Sequence, residues 1–161
     1  MTEANALRIL ILCTGNSARS QIAEALLSTM GKGRFEAASA GSRPAEQVNP
    51  FAVSVLAEAG IDWQGRVPRG TDGLEREHWD FVITVCDRAK ESCPYFPGQP
   101  LLVHWGMPDP AEVVGSDEVK MAAFRDTFTT LSRRIESMLA LPIAELEPAA
   151  VAHHLKEIGT Q

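Results

Sequence analysis

The stretch Cys13-Thr14-Gly15-Asn16-Ser17-Ala18-Arg19-Ser20 gathers a thiol, a guanidinium, three hydroxyls and a glycine into eight residues. It stands between an apolar run, residues 7–12 (Leu-Arg-Ile-Leu-Ile-Leu), and a segment of helical periodicity that starts at Ser20. A strand feeding a short loop at a helix N-terminus points several backbone N–H groups at one spot, and the helix dipole adds partial positive charge there. Arg19 supplies a planar, permanently charged fork that matches a tetrahedral oxyanion. Cys13 ends the strand, where open α/β sheets bind ligands. The field that holds an oxyanion is expected to lower the thiol pKa below its reference of about 8.5. Ser20 is placed to donate a hydrogen bond to the thiolate. The bland alternative makes Cys13 a small buried hydrophobe and Arg19 a surface charge. Coincidence of Cys, Arg and Ser with a strand-to-helix junction argues against it. The expectation is an oxyanion site, with Thr14, Gly15, Asn16, Ser17, Ala18 and Arg19 around the anion and Cys13 as nucleophile.

A nucleophile attacking a tetrahedral oxyanion needs a proton for the departing oxygen. Asp109, in Trp105-Gly-Met-Pro-Asp-Pro-Ala-Glu112, follows the last expected strand and can reach over the site; a plain turn aspartate is the alternative. The remaining cysteines, Cys86 and Cys93, follow another apolar run, which puts Cys86 on the rim that carries Cys13. Zinc is poorly served by three cysteines without a Cys-x-x-Cys pair and by His78 and His104, which have no obvious placement beside them. His153-His154 reads as solvated surface, and Arg133-Arg134 as the exposed face of a helix.

These groups need a scaffold. Residues 7–12 are apolar on both faces, as in the centre of a parallel sheet. Ile22, Ala25, Leu26 and Met30 share a helical face, and Gly31 stands where a left-handed cap belongs. Asn49 as cap, Pro50 as first helical residue, Val53 and Leu56 inward and Gly60 as stop mark a second helix. Residues 81–85 and 101–105 read as further buried strands, and 35–40 as another. The longest helix is expected over 117–140, capped by Ser116, with Phe124, Phe128, Leu131, Ile135 and Met138 inward and Pro142 beyond its end. A short helix through Val151, Leu155 and Ile158 closes the chain. This rhythm is that of an open α/β sheet.

Composition removes other classes. With 161 residues, 45% of them hydrophobic and 22% charged, the chain suits one globular domain rather than a disordered or fibrous protein. The longest apolar stretch, residues 9–13, falls far short of the roughly 20 that span a membrane. A net charge of -6 argues against a general nucleic-acid binder. An odd, scattered set of three cysteines and an acidic N-terminal stretch point to the reducing cytoplasm.

The segment Cys13-Thr-Gly-Asn-Ser-Ala-Arg-Ser-Gln21 resembles the active-site loop of the low-molecular-weight protein tyrosine phosphatase superfamily, in its arsenate reductase variant. The resemblance covers most of residues 7–140. It implies a single three-layer α/β domain over residues 1–141, a four-stranded parallel sheet with helices on both faces, followed by a helical appendix over 142–161. It also implies Cys13 as nucleophile, Arg19 as clamp and Asp109 as general acid. Cys86 and Cys93 resemble the resolving pair of reductases that pass their disulfide to thioredoxin. Were residues 86–93 helical, the two Cα atoms would stand about 10 Å apart, against the roughly 4.4–6.8 Å of a disulfide. Oxidation is therefore expected to rearrange that segment.

The family's phosphatases usually follow Asp-Pro with aromatic residues that grip a phenol ring, whereas Ala111 and Glu112 follow here. That favours a small inorganic substrate, arsenate, with phosphate or sulfate as mimics. The alternatives are a phosphomonoesterase using Cys13, Arg19 and Asp109, and a non-enzymatic oxyanion or redox sensor. Thioredoxin is the expected donor, with glutathione, glutaredoxin or mycothiol as alternatives; no tightly bound cofactor is expected, and monomer is the default. Some reductases of the family bind potassium beside the loop, and Asn16, Glu24 and Ser39 match part of that site. Its other ligands would come from residues 62–73, here unusually rich in Gly, Pro and Arg.

Overall fold

Leu7–Cys13 (β1) has neighbours on both sides, as its doubly apolar pattern requires: Ile9, Leu10, Ile11 and Leu12 are all buried. In the computed structural model, which describes residues 6–86 and 100–161, β1 pairs in parallel with β2 (Phe35–Gly41) and β3 (Phe81–Thr84). Strand β4 (Leu101–His104) pairs in parallel with β3, giving the order β2-β1-β3-β4. The register sets Cys13 beside Gly41, Leu12 beside Thr84 and Thr84 beside His104, so the residues that follow these positions crowd one rim.

Among the described residues, four α-helices connect and cover the sheet: α1 (Arg19–Met30), α2 (Pro50–Glu58), α3 (Asp117–Leu139) and α4 (Pro148–Ile158). Asn49 caps α2 by accepting from Phe51 N at 2.9 Å, and Gly60 leaves it in the left-handed region at φ +81°. Ser116 caps α3 by accepting from Val119 N at 3.3 Å, and Asp117 and Glu118 complement the dipole of its first turn. Phe124, Leu131, Ile135 and Met138 are buried and Phe128 half-buried, as the helical stripe requires. Val151, Leu155 and Ile158 of α4 are buried in the same core. Among the described residues, no helix is long and apolar enough to cross a membrane.

Three local expectations are corrected. Gly31 is not left-handed: its φ is -99°, and it is glycine because a Cβ would stand 2.6 Å from the Phe35 ring. The left-handed turn falls two residues later, at Gly33 with φ +88°. Residues 101–105 are not a fully buried strand: β4 is the sheet edge and Leu102 is 64% exposed. Arg134 does not lie on the exposed face of α3 but is 5% exposed, on the stripe that includes Leu131 and Met138; Arg133 is exposed as expected. His153 and His154 are on the surface.

Candidate active site

Cys13 is the last residue of β1 and α1 starts at Arg19, so the intervening loop sits at a helix N-terminus that no side chain caps. Ser20 Oγ lies 2.8 Å from Cys13 Sγ, and the Asn16 amide donates to the same sulfur at 3.2 Å. The loop is clamped from outside by three backbone bonds: Arg43 N to Thr14 O, Ala45 N to Gly15 O and Asn49 N to Ser17 O. Gly41 lets the chains approach this closely, because a Cβ there would collide with the Thr14 carbonyl.

Asn16 sits behind the pocket rather than lining it. It is fully buried at φ +51°, the one left-handed non-glycine among the described residues. Its Nδ2 donates to Ser20 Oγ and Ser39 Oγ, both at 2.8 Å, and its Oδ1 accepts from Gln21 Nε2 at 3.0 Å and Arg69 N at 2.9 Å. Gln21 in turn accepts from Trp63 Nε1 at 2.8 Å. Thus Gln21, Trp63 and Arg69 belong to the frame of the site. Gln21 was visible in the loop motif, whereas Trp63 and Arg69 come from a stretch whose composition gave no such signal.

The pocket in front of the loop is lined by Cys13, Thr14, Gly15, Ser17, Ala18, Arg19, Cys86, Asp109 and Glu112 and encloses about 420 Å³. Arg19 is held by Met107 O, 2.8 Å from Nη1, and faces Asp109 Oδ2 at 3.5 Å from Nη2. The other Asp109 oxygen accepts from Ala111 N at 2.9 Å, which fixes the carboxyl over the pocket. Cys86 is buried in the lining of the same pocket, its Sγ 3.4 Å from Thr14 Oγ1. Sequence-distant Cys13, Arg19, Asp109 and Cys86 therefore converge on one cavity. Cys93, and the segment after Cys86 that is expected to rearrange on oxidation, lie outside the described residues.

Burial is the largest influence on the Cys13 thiol and pushes its pKa up. Hydrogen bonds from Ser20 and the Asn16 amide, together with the Arg19 charge, pull it down without prevailing. The expected depression is thus corrected: the loop supplies the donors, but a sulfur in a residue only 4% exposed has lost most of its hydration.

The candidate potassium ligands are already committed to one another. Ser39 Oγ accepts from Asn16 and donates to Glu24 Oε1 at 2.6 Å, while both donors on Asn16 Oδ1 come from protein. The remaining Glu24 oxygen faces Arg66 Nη1 at 3.5 Å, and that guanidinium stacks 4.0 Å from the centre of the Trp63 ring. Burial pushes the Glu24 carboxyl up, and Ser39, Arg66 and Arg69 counter it. In this arrangement a guanidinium from residues 62–73, rather than a further oxygen ligand, faces the one carboxylate oxygen left over. Among the described residues, no His, Cys, Asp and Glu group could hold another metal.

The sequence pattern of the low molecular weight phosphotyrosine protein phosphatase family matches residues 8–150. A protein of Halalkalibacterium halodurans named arsenate reductase is 39% identical over 129 residues, covering 80% of this chain and 92% of its own. The solved structure titled "An arsenate reductase in the phosphate binding state" superposes with a TM-score of 0.67 at 26% identity, covering 83% of this chain and 97% of that one. A thioredoxin-dependent arsenate reductase of Corynebacterium glutamicum gives a TM-score of 0.62 at 29% identity, over 84% of this chain and 63% of that one. The chain belongs to the low molecular weight phosphotyrosine protein phosphatase family, and within it to the arsenate reductases.

Proposed function

We propose that this protein reduces arsenate to arsenite through a thiol relay that begins at Cys13. The observation that carries this reading is a second buried thiol, Cys86, in the pocket that already holds Cys13, Arg19 and Asp109. Arsenate is bound by the loop amides and the Arg19 fork. The Cys13 thiolate attacks arsenic, an As–O bond breaks, and Asp109 protonates the departing oxygen, leaving a Cys13–arsenic adduct. The Cys86 thiolate then attacks the Cys13 sulfur. A disulfide forms, the S–As bond breaks, and its electron pair stays on arsenic, which leaves as arsenite. Cys93 attacks the Cys86 sulfur, frees the Cys13 thiolate and presents Cys86–Cys93 to an external dithiol. Thioredoxin is the donor this arrangement favours, since two resolving thiols deliver a disulfide ready for a dithiol. Such a relay works where other thiols are kept reduced, in the cytoplasm.

A phosphomonoesterase would use Cys13, Arg19 and Asp109 but has no task for Cys86. Among the described residues, the pocket wall near Asp109 is formed by Glu112 and no aromatic ring, which also favours a small inorganic anion. The test is a single turnover: reduced Cys93→Ser protein receives one equivalent of arsenate. The expected products are arsenite, measured by arsenic speciation, and a Cys13–Cys86 disulfide, located by peptide mass spectrometry. Arsenate recovered unchanged, beside both thiols still reduced, would contradict the reading.

A further inference from the structure

Helix α3 carries a buried cation whose hydrogen bonds go to main-chain oxygens. Arg134 Nη1 donates to Trp105 O at 3.1 Å and Gly106 O at 3.4 Å, Nη2 donates to Gln161 O at 3.2 Å, and Nε finds no acceptor among the described residues. Burying a guanidinium with incomplete satisfaction is costly, and an apolar residue of similar volume would serve packing better. Its position has a use at the pocket. Trp105 is 1% exposed and donates through Nε1 to Leu155 O of α4 at 2.9 Å. Gly159, just beyond α4, presses so close that a Cβ would lie 2.7 Å from Trp105 Cδ1. Arg134 and the end of α4 therefore grip residues 105–106. The next carbonyl, Met107 O, receives Arg19, and Asp109 follows two residues later. Behind this loop is a cleft of about 340 Å³, lined in part by Met107, Pro108, Asp109, Thr127 and Arg134. The chain then returns to α3 through residues 110–112, where Pro110 is buried, so the loop is located by its two ends and Arg134 holds the first of them.

We propose that Arg134, with the segment 148–161 that it ties to Trp105, is a positioning residue that holds the 105–109 loop so that Asp109 meets the departing oxygen. The inference rests on the reading of Asp109 as general acid and gives the C-terminal helix a part in the chemistry. Phosphate shares the shape and charge of arsenate, so aryl phosphates report on the acid directly. p-Nitrophenol leaves with little help, whereas phenol needs a proton.

The experiment compares kcat/KM for p-nitrophenyl phosphate and phenyl phosphate in unaltered protein, Asp109→Asn, Arg134→Lys and Trp105→Phe. Inorganic phosphate serves as competitive inhibitor, and Tm is measured alongside. A lysine ammonium cannot span the three oxygens that the guanidinium reaches. General-acid help is worth about 10²–10⁴, so Asp109→Asn lowers the phenyl phosphate rate selectively. Arg134→Lys and Trp105→Phe are expected to lower it about tenfold more than the p-nitrophenyl phosphate rate, with phosphate inhibition changed less than about threefold. Equal losses on both substrates, or none, would overturn the proposal; if Arg134→Lys does not fold, Trp105→Phe answers alone. No selectivity change in Asp109→Asn would instead remove the reading beneath it.

Discussion

The side-chain amide of Asn16 donates to Ser20 Oγ over 2.8 Å, and that oxygen lies a further 2.8 Å from the Cys13 sulfur. Asn16 thus occupies one Ser20 lone pair and leaves the hydroxyl hydrogen available to a Cys13 thiolate. The left-handed backbone of Asn16, costly for any residue but glycine, is held by Gln21, Ser39 and Arg69. Reactivity of the thiol is therefore tied to residues that never touch the anion.

Removing the hydroxyl exposes that tie. The Ser20 hydrogen bond lowers the Cys13 pKa against burial, so Ser20→Ala moves it further up and leaves less thiolate at neutral pH. A hydrogen bond to a charged group is worth about 1.5–3 kcal/mol, so alkylation of Cys13 by iodoacetamide at pH 7 should slow by roughly tenfold or more. The alkylation rate followed from pH 6 to 10, with Cys13 identified by mass spectrometry, should show a midpoint displaced to higher pH. An unchanged midpoint would mean that Ser20 contributes only packing.

Potassium should not matter to this protein. A native-state ligand at a hundred times its Kd adds about 2.7 kcal/mol, which corresponds to a rise in Tm of roughly 5–10 °C for a domain of this size. Exchanging sodium for potassium at constant ionic strength is expected to leave Tm unmoved, because Arg66 already faces Glu24. A potassium-specific rise would show that Arg66 swings away and the ligand set opens.

Gly41→Ala tests the clamp on the loop. The added Cβ meets the Thr14 carbonyl, a backbone atom that cannot move without shifting the loop. A loss of about 1–3 kcal/mol in urea unfolding is expected, together with weakened phosphate binding by calorimetry. Unaltered phosphate affinity would mean that the loop holds its anion geometry without this contact.

The loop chemistry was legible because its parts are contiguous: Cys13, Arg19 and Ser20 need only one turn of chain to meet. Helix α3 was legible for the same reason, since Ser116 and the apolar stripe are local signals. Arg134 was misplaced because an arginine is normally solvated, although its spacing from Leu131 and Met138 puts it on the buried stripe. The exposure of Leu102 depends on β4 being the edge, which strand order decides and local pattern does not. Gly41 beside Cys13, and Arg66 against Glu24, depend on register and on a loop crossing from a distant part of the chain. The pKa of Cys13 was misjudged because the donors are local and visible, while burial arises from the whole fold.

The central claim is that three thiols carry arsenate reduction, and its most direct measurement is arsenate-dependent NADPH consumption with thioredoxin and thioredoxin reductase. Unaltered protein is expected to turn over repeatedly, and Cys13→Ser, Cys86→Ser and Cys93→Ser each to abolish sustained turnover. Turnover that survives loss of Cys86, or robust phosphoester hydrolysis with no arsenate reduction by any dithiol, would contradict the relay.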